Sequence, residues 1–304
     1  MIKLSIVIGC GYFIYTKLIE NEQLSFSDFY QNLIKNNIFS LKNITFLLIF
    51  TILNWISEIL KWKKLASFTK KTDLKSAAIQ SLSSLTASFI TPNRIGEYGA
   101  KVLYFEKEKR NKILGLNLVG NFYQMLMTLI FGVFGFSYFV FQHKIEIDFQ
   151  QIIALLIIGI LVITLFFFAV KYFNVSKSYL KKIQTFLKEI PQNINIKVSF
   201  FSFLRFVIFS HQFYFLLLVF KVDLSYFDAI SAITSVYLIA SIIPMLSLFD
   251  VVLKGTVAIW VFSFYNLEPL TILSITSIMW ILNFVLPAII GSYFVLTFKP
   301  NFAK

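Results

Sequence analysis

The chain has 304 residues, of which 58% are hydrophobic and only 14% are charged, against roughly 45–50% and ~25% in soluble domains. A soluble fold could not hide so much apolar surface behind so few charges, which excludes a water-soluble enzyme and a disordered chain and indicates an integral membrane protein. The net charge of +13 fits basic loops that face anionic lipid, and we expect no nucleic-acid partner.

Six apolar stretches are long enough to cross a bilayer, which needs ~20 residues per helix. The first has the charge pattern of a signal peptide but lacks a small-residue cleavage site, so we interpret it as a retained anchor. Together the stretches predict an all-α, polytopic membrane bundle in one domain, 1–304. They are 2–18, 44–60, 113–141, 151–173, 199–221 and 270–298.

Two further stretches, 76–100 and 228–265, are apolar but interrupted by a proline and polar residues. Proline ends a helix, and non-helical backbone at membrane depth survives only inside protein or beside a polar cavity. Each stretch therefore predicts a re-entrant hairpin of two short helices. With their flanking spans the hairpins form two units, 44–141 and 199–298, which begin on opposite sides of the membrane and predict an inverted repeat.

The distribution of charge predicts the orientation. Most Lys and Arg residues fall in segments on the same side as the N-terminus, whereas most acids fall in segments on the opposite side. By the positive-inside rule, both termini are expected in the cytoplasm and the chain in the cytoplasmic (inner) membrane.

Six charges lie inside the apolar segments, where each is costly. They are Glu58, Arg94, Glu97, Arg205, Asp250 and Lys254. In each hairpin an acid precedes a lysine by four residues, Glu97 before Lys101 and Asp250 before Lys254, and this spacing favours pairing on one helix face. Glu58 is interpreted as a boundary charge, and Lys101 as a boundary lysine that reaches towards water. Arg205 has no acid nearby in sequence; Asp250, Glu97 or a lipid phosphate is its expected partner.

Neutral polar residues support these charges. Asn117, Asn121 and Gln124 share one helix face by their spacing and predict hydrogen bonds between helices. Gln212 is a further polar residue within a span. One cysteine and two histidines provide neither a disulfide nor a metal site. No phosphate loop or nucleophile motif is present, so we expect no cofactor, no metal and no enzymatic activity.

The first hairpin carries Pro92-Asn93-Arg94-Ile95-Gly96-Glu97. This segment resembles the Pro-x-Arg-x-Gly-Glu signature of the lysylphosphatidylglycerol-synthase transmembrane-region family, a flippase-like membrane domain. Segment 243–258 resembles the second signature of that family more loosely, with Lys254 where arginine is typical, Asp250 where glutamate often stands and Val252 where glycine is expected. The resemblance covers about 45–298.

The resemblance implies a polytopic fold and lipid translocation. Some family members also carry a soluble aminoacyltransferase domain; here six residues follow the last predicted span, so we expect a stand-alone translocator of an anionic or polyprenyl-phosphate-linked lipid. In this hypothesis the cations neutralise the headgroup phosphate and the acids hold them in place. The candidate substrate-binding residues are Asn93, Arg94, Glu97, Lys101, Arg205, Asp250 and Lys254, with Asn121, Gln124 and Gln212 in support.

Two other functions remain open. The chain could be a non-catalytic membrane accessory subunit whose partner is an enzyme of envelope lipid or glycan synthesis. Alternatively, Glu97 and Asp250 could act as the paired carboxylates of an intramembrane enzyme, which requires both carboxylates at one water-accessible point.

Overall fold

The computed structural model describes residues 26–89, 91, 95–145, 185–242 and 250–298. Every regular element in these ranges is helical, which confirms the predicted all-α membrane bundle. Predicted spans 2–18 and 151–173 lie outside the described residues. The helices are α1 (Phe26–Lys35), α2 (Leu41–Ala66), α3 (Leu74–Ser88), α4 (Ile95–Val102), α5 (Arg110–Gln142), α6 (Gln192–Val219), α7 (Tyr226–Ile242), α8 (Asp250–Ser263), α9 (Pro269–Trp280) and α10 (Leu286–Thr297).

Two shorter elements extend these helices. A 3₁₀ turn, Lys107–Lys109, leads into α5, and a π-helical turn, Ile281–Val285, joins α9 to α10 into one continuous rod. Residues 185–189 are also helical. Within the described ranges, four stretches are long and apolar enough to cross a membrane, and they coincide with four of the predicted spans. They are Leu41–Ala66, Lys107–Gln142, Gln192–Val219 and Pro269–Thr297.

Both predicted hairpins are helix pairs. Helices α3 and α4 form the first, and α7 and α8 form the second. The returning helices have 8 residues in α4 and 14 residues in α8, so at ~1.5 Å per residue they measure about 12 and 21 Å. A hydrocarbon core is ~30 Å thick. Over the described residues, both returning helices are shorter than this thickness.

Each hairpin packs against a helix of the other unit. Helix α3 of the first hairpin packs on α10 of the second unit, and α7 of the second hairpin packs on α5 of the first unit. Glycine permits the close approach in both places: a Cβ at Gly291 on α10 would collide with the Leu82 carbonyl of α3, and a Cβ at Gly135 on α5 would collide with Thr234 of α7. Small residues at helix contacts are the usual means of close packing in membranes. Each hairpin is therefore held against a span of the other unit.

The first helices of the two units, α2 and α6, pack against each other at the centre of the bundle. Beside them the last span contains the π-helical turn at its middle. Pro287 has no N–H to donate to the Asn283 carbonyl one turn earlier, and the indole Nε1 of Trp55 on α2 donates to that carbonyl instead, at 3.2 Å. The π-helical turn therefore places Asn283 and the adjoining Phe284 where α2, α6 and the last span meet.

Candidate functional site: a polar cavity at the α2–α6 contact

A charged cluster lies where α2 packs on α6. The Glu58 carboxylate forms ion pairs with two cations, Lys61 one turn along α2, with Nζ at 2.7 Å, and Arg205 on α6. The Arg205 Nη1 donates a hydrogen bond to Glu58, and its Nε donates to the side-chain Oδ1 of Asn54 at 3.1 Å. Glu58 and Lys61 are 7% and 2% exposed. We call Glu58, Lys61 and Arg205 the open cluster.

A chain of side-chain amides continues from the open cluster towards the start of α2. Asn54 donates to the Asn283 Oδ1 at 2.8 Å, and the Asn283 amide donates to the Gln212 Oε1 at 2.9 Å. Gln212 in turn donates to the Thr51 hydroxyl at 2.9 Å and to the Leu47 carbonyl at 3.1 Å. These hydrogen bonds tie both units together through side chains that are almost fully buried, and they fix the Arg205 guanidinium in one direction.

A cavity of about 270 Å³ adjoins this chain. Its lining includes two cations, Arg205 and Lys254, together with aromatic side chains that form a second, apolar wall. The Lys254 ammonium lies 5.3 Å from the centre of the Phe284 ring. The residues that line the cavity are Asn54, Gln124, Thr128, Arg205, Phe206, Phe209, Tyr237, Ala240, Ser241, Lys254, Asn283 and Phe284. The lining can therefore receive an anionic group and an apolar group at once.

The cavity lies deep in the bundle. Arg205 is at the middle of the 28-residue helix α6, about 20 Å from either end at ~1.5 Å per residue. A charge at this depth is costly unless it has a partner. Within the described residues the open cluster has one carboxylate for two cations, a net charge of +1 beside the cavity. The guanidinium uses Nε and Nη1 for Asn54 and Glu58, which leaves Nη2 for a further acceptor.

A second charged site lies within the first unit. The Lys101 ammonium is 2.7 Å from the Glu97 Oε1 and donates to the Asn117 Oδ1 of α5 at 2.8 Å. It also lies 4.3 Å from the centre of the Trp62 ring, a favourable cation–π distance. Glu97, Lys101 and Asn117 are at most 3% exposed. We call Glu97 and Lys101 the closed pair.

Hydrogen bonds around the first hairpin hold α4 in place. The Thr91 hydroxyl accepts from the Gly96 amide at 2.8 Å and donates to the Ser88 carbonyl at 2.9 Å, so it connects the end of α3 to the start of α4. Asn121 on α5 donates to the Tyr98 hydroxyl at 2.8 Å. The closed pair therefore sits on a helix whose position is fixed from two sides.

The structure brings together three of the candidate residues, because Arg205, Lys254 and Gln124 all line the cavity. Gln212 belongs to the amide chain that supports Arg205, and Asn121 supports the first hairpin. Asn93 and Arg94 lie outside the described residues, as does the side chain of Asp250, whose backbone begins α8.

The remaining two candidates, Glu97 and Lys101, form the closed pair and do not belong to the described lining of the cavity. The predicted pairing of these residues on one helix face is confirmed at 2.7 Å. The predicted helix–helix hydrogen bonding is confirmed for Asn117 and Asn121. Glu97 is 3% exposed in this pair, and the side chain of Asp250, the second carboxylate of the enzyme hypothesis, lies outside the described residues.

Two expectations about charges were wrong. Glu58 is not a boundary charge, because α2 continues to Ala66 and buries Glu58 against α6. Lys101 does not reach towards water but is 1% exposed, because α5 and Trp62 enclose it. Arg205 pairs with Glu58, a partner that the sequence did not indicate.

Sequence reasoning missed three residues of the site. Lys61 lies just beyond the predicted span 44–60, yet α2 continues to Ala66 and includes it. Asn283 carried a signal, since a lone Asn four residues before a proline in an apolar span indicates a break in the helix that needs a partner. The sequence carried no signal for Tyr237, because a single Tyr is common in apolar membrane helices.

Comparison with protein-family models, curated proteins and solved structures found no match to this chain.

Proposed function

We propose that this membrane protein binds an anionic lipid in the cavity and moves its headgroup across the membrane. The observation that supports the proposal is the lining, which combines Arg205 and Lys254 with aromatic rings near the middle of the bundle. A lipid presents a matching pair of groups, a phosphate and an apolar remainder. The resemblance of the two hairpins to a flippase-like family is in accord with this function.

Electrostatics favour an anion over a cation or a neutral ligand. The open cluster has an excess of one positive charge in the described residues, and the Lys254 side chain also lines the wall. Guanidinium groups match the geometry of phosphate oxygens. A phosphate in the cavity would contact the Nη2 side of Arg205 while Glu58 kept Lys61, so binding requires no charge to be left without a partner.

The arrangement of the helices supplies a route for movement. The cavity is bounded by α2 and α5 of the first unit and by α6, α7, α8 and the last span of the second unit. Motion of one repeat against the other around a central site is the established way in which inverted repeats alternate access. The described residues contain no Gly-rich phosphate loop, and in this proposal movement is passive, coupled to an ion or driven by a partner.

The test is movement of headgroup-accessible fluorescent phosphatidylglycerol in proteoliposomes, read as the fraction of label that an added reductant quenches. The native protein should expose label beyond the outer leaflet. Arg205→Gln and Lys254→Gln should each slow this movement about tenfold or more, since a charge-assisted hydrogen bond is lost. Lys197→Gln is the matched control, because Lys197 is exposed on the same helix and should leave the rate unchanged.

Two outcomes would contradict the proposal. Native protein that quenches no more label than empty vesicles, across phosphatidylglycerol and polyprenyl-phosphate lipids, would reject translocation. Equal rates in the native protein and both cavity variants would reject this cavity as the route. In the first case, purification of the protein with an envelope lipid- or glycan-synthesis enzyme would favour the accessory-subunit function.

A further inference from the structure

Lys61 is a buried cation that does not belong to the described lining of the cavity. Its side chain is 3% exposed. The ammonium lies 2.7 Å from the Glu58 Oε2, and among the described residues it has no other hydrogen-bonding partner. An ammonium has three donors, and burying donors without acceptors is costly. This cost to folding indicates that the charge of Lys61 has a role in the site beside it.

The Glu58 carboxylate is shared between two cations through a single oxygen. The Lys61 ammonium and the Arg205 guanidinium both lie within 2.7 Å of the Glu58 Oε2. Two cations this close repel each other, and the repulsion is stronger in a buried site than in water. One carboxylate cannot neutralise both, so each cation weakens the hold of Glu58 on the other.

The two cations approach Glu58 from different neighbours. The Lys61 stem lies against α5, where a Cβ added at Gly120 would be 3.9 Å from the Lys61 Cε. Arg205 comes from α6 and also lines the cavity. A ligand in the cavity can therefore contact Arg205, whereas Lys61 can act on that ligand only through its charge and through Glu58.

We propose that Lys61 is a positioning residue that makes the cavity selective for anions. Without Lys61, Glu58 and Arg205 would form a neutral pair, and the whole carboxylate would hold the guanidinium. With Lys61, the cluster keeps a positive charge, and Glu58 retains a partner while Arg205 contacts a ligand phosphate. This inference rests on the proposed function, because it assigns to Lys61 the anion preference of the same cavity.

The anion preference should then follow the net charge of the open cluster. Glu58, Lys61 and Arg205 together carry one positive charge. Removal of the lysine charge makes the cluster neutral, and removal of the carboxylate doubles its positive charge. Removal of both returns the cluster to one positive charge with Arg205 still in the lining.

The test compares an anionic and a zwitterionic phospholipid on the purified full chain in nanodiscs. Phosphatidylglycerol and phosphatidylcholine share the phosphodiester and the acyl chains, and they differ in net charge. Relative affinity is measured by native mass spectrometry of added lipid. One unit of charge beside a buried ligand changes affinity about tenfold, so the native protein should favour phosphatidylglycerol by about this factor.

The variants assign the preference to residues. Lys61→Met should abolish the preference, Glu58→Gln should raise it about tenfold, and Glu58→Gln/Lys61→Met should restore the native value. Glu58→Gln/Arg205→Gln should not restore it, because the group that contacts the ligand is gone. Lys64→Met is the matched control, since Lys64 lies on the same helix, is only partly buried and has no ion pair among the described residues; it should retain the native preference.

A separate measurement of stability distinguishes this role from a structural one. Glu58→Gln should lower the stability of the protein and still raise its preference for phosphatidylglycerol, and a residue that only holds the fold together cannot produce these opposite changes. If Lys61→Met proves too unstable to purify, Glu58→Gln and the Glu58→Gln/Lys61→Met variant provide the same comparison of net charge.

The outcomes separate this inference from the proposed function. If Lys61→Met keeps the native preference while Arg205→Gln loses it, the role of Lys61 is wrong and the proposed function stands. If Glu58→Gln lowers the preference together with the stability, Lys61 and Glu58 are structural and the inference is also wrong. If the native protein and Arg205→Gln both bind the two lipids equally, the cavity does not select anions and both proposals fail.

Discussion

The closed pair and the open cluster are two buried charged sites of one protein, and they differ in their surroundings. In the closed pair, the Lys101 ammonium contacts the Glu97 carboxylate, the Asn117 amide oxygen and the Trp62 ring, and Glu97 and Lys101 are at most 3% exposed. In the open cluster, Glu58 pairs with Lys61 and Arg205, and Arg205 also lines the cavity. The difference indicates that the closed pair fixes the first hairpin, whereas the open cluster presents a cation to the cavity.

The largest expected effect is the loss of the ammonium from the closed pair. Lys101→Met removes the cation 2.7 Å from a carboxylate that is 3% exposed, and breaking a buried pair in this way costs about 3–5 kcal/mol. The measurement is the free energy of unfolding in mixed micelles titrated with SDS. The double variant Glu97→Gln/Lys101→Met should recover most of the loss.

Lys109→Met is the control for this measurement. Lys109 pairs with Glu106 at 2.7 Å on the surface, where it lowers the pKa of the Glu106 carboxyl below its ordinary value. An exposed pair of this kind contributes little, and unfolding should not shift measurably. A Lys101→Met protein as stable as Lys109→Met would contradict the description of the closed pair as a buried ion pair that stabilises the fold.

Removal of the carboxylate from the open cluster should have the next largest effect. Glu58→Gln leaves Lys61 and Arg205 without their shared anion and should cost about 2–3 kcal/mol. The cost is smaller than in the closed pair because the Arg205 side chain is 17% exposed and adjoins the cavity. The same titration measures it, with exposed Glu189→Gln as the control. A larger loss than that of Lys101→Met would reverse the comparison.

Removal of one cation from the open cluster should be tolerated better. In Arg205→Gln the Glu58 carboxylate keeps Lys61 at 2.7 Å, so the expected loss is about 1 kcal/mol. Lys197→Gln on the same helix gives the baseline. If Arg205→Gln destabilises the protein as much as Lys101→Met does, both cations are required to balance the cluster and the excess charge has no ligand to explain it.

The smallest effect is expected at the π-helical turn of the last span. Trp55→Phe removes the indole that donates to the Asn283 carbonyl, and hydrogen bonds between membrane helices average about 0.6 kcal/mol. Trp260→Phe is the matched control, since Trp260 is 48% exposed on α8. Equal stability of the two variants would show that the carbonyl finds another donor and that Trp55 does not hold the π-helical turn.

The sequence was sufficient for features that depend on neighbours along the chain. Apolar runs, prolines and the four-residue spacing of Glu97 and Lys101 predicted spans, hairpins and the closed pair, because hydrophobicity and helix periodicity are local. The end of α2 was misjudged for a local reason as well: a basic run is typical of a loop, and a helix that extends past the membrane boundary has the same composition.

The open cluster could not be predicted from the sequence. Glu58 and Arg205 are 147 residues apart, and their contact depends on which faces of α2 and α6 meet. That choice is made by the packing of the whole bundle, including the glycines that admit α3 and α7. The cavity has the same origin, since its lining draws on helices from both units.

Each hairpin packs on a helix of the other unit, and this has a consequence for biosynthesis. Thr86 on α3 donates to the Ala288 carbonyl on α10, 202 residues later in the chain. At ~5–20 residues per second, translation needs about 10–40 s to supply that partner. The first hairpin must therefore remain in the bilayer or the translocon before its docking surface exists. The closed pair can form during this time, because Glu97 and Lys101 lie on one short helix and can pair before the later helices are made.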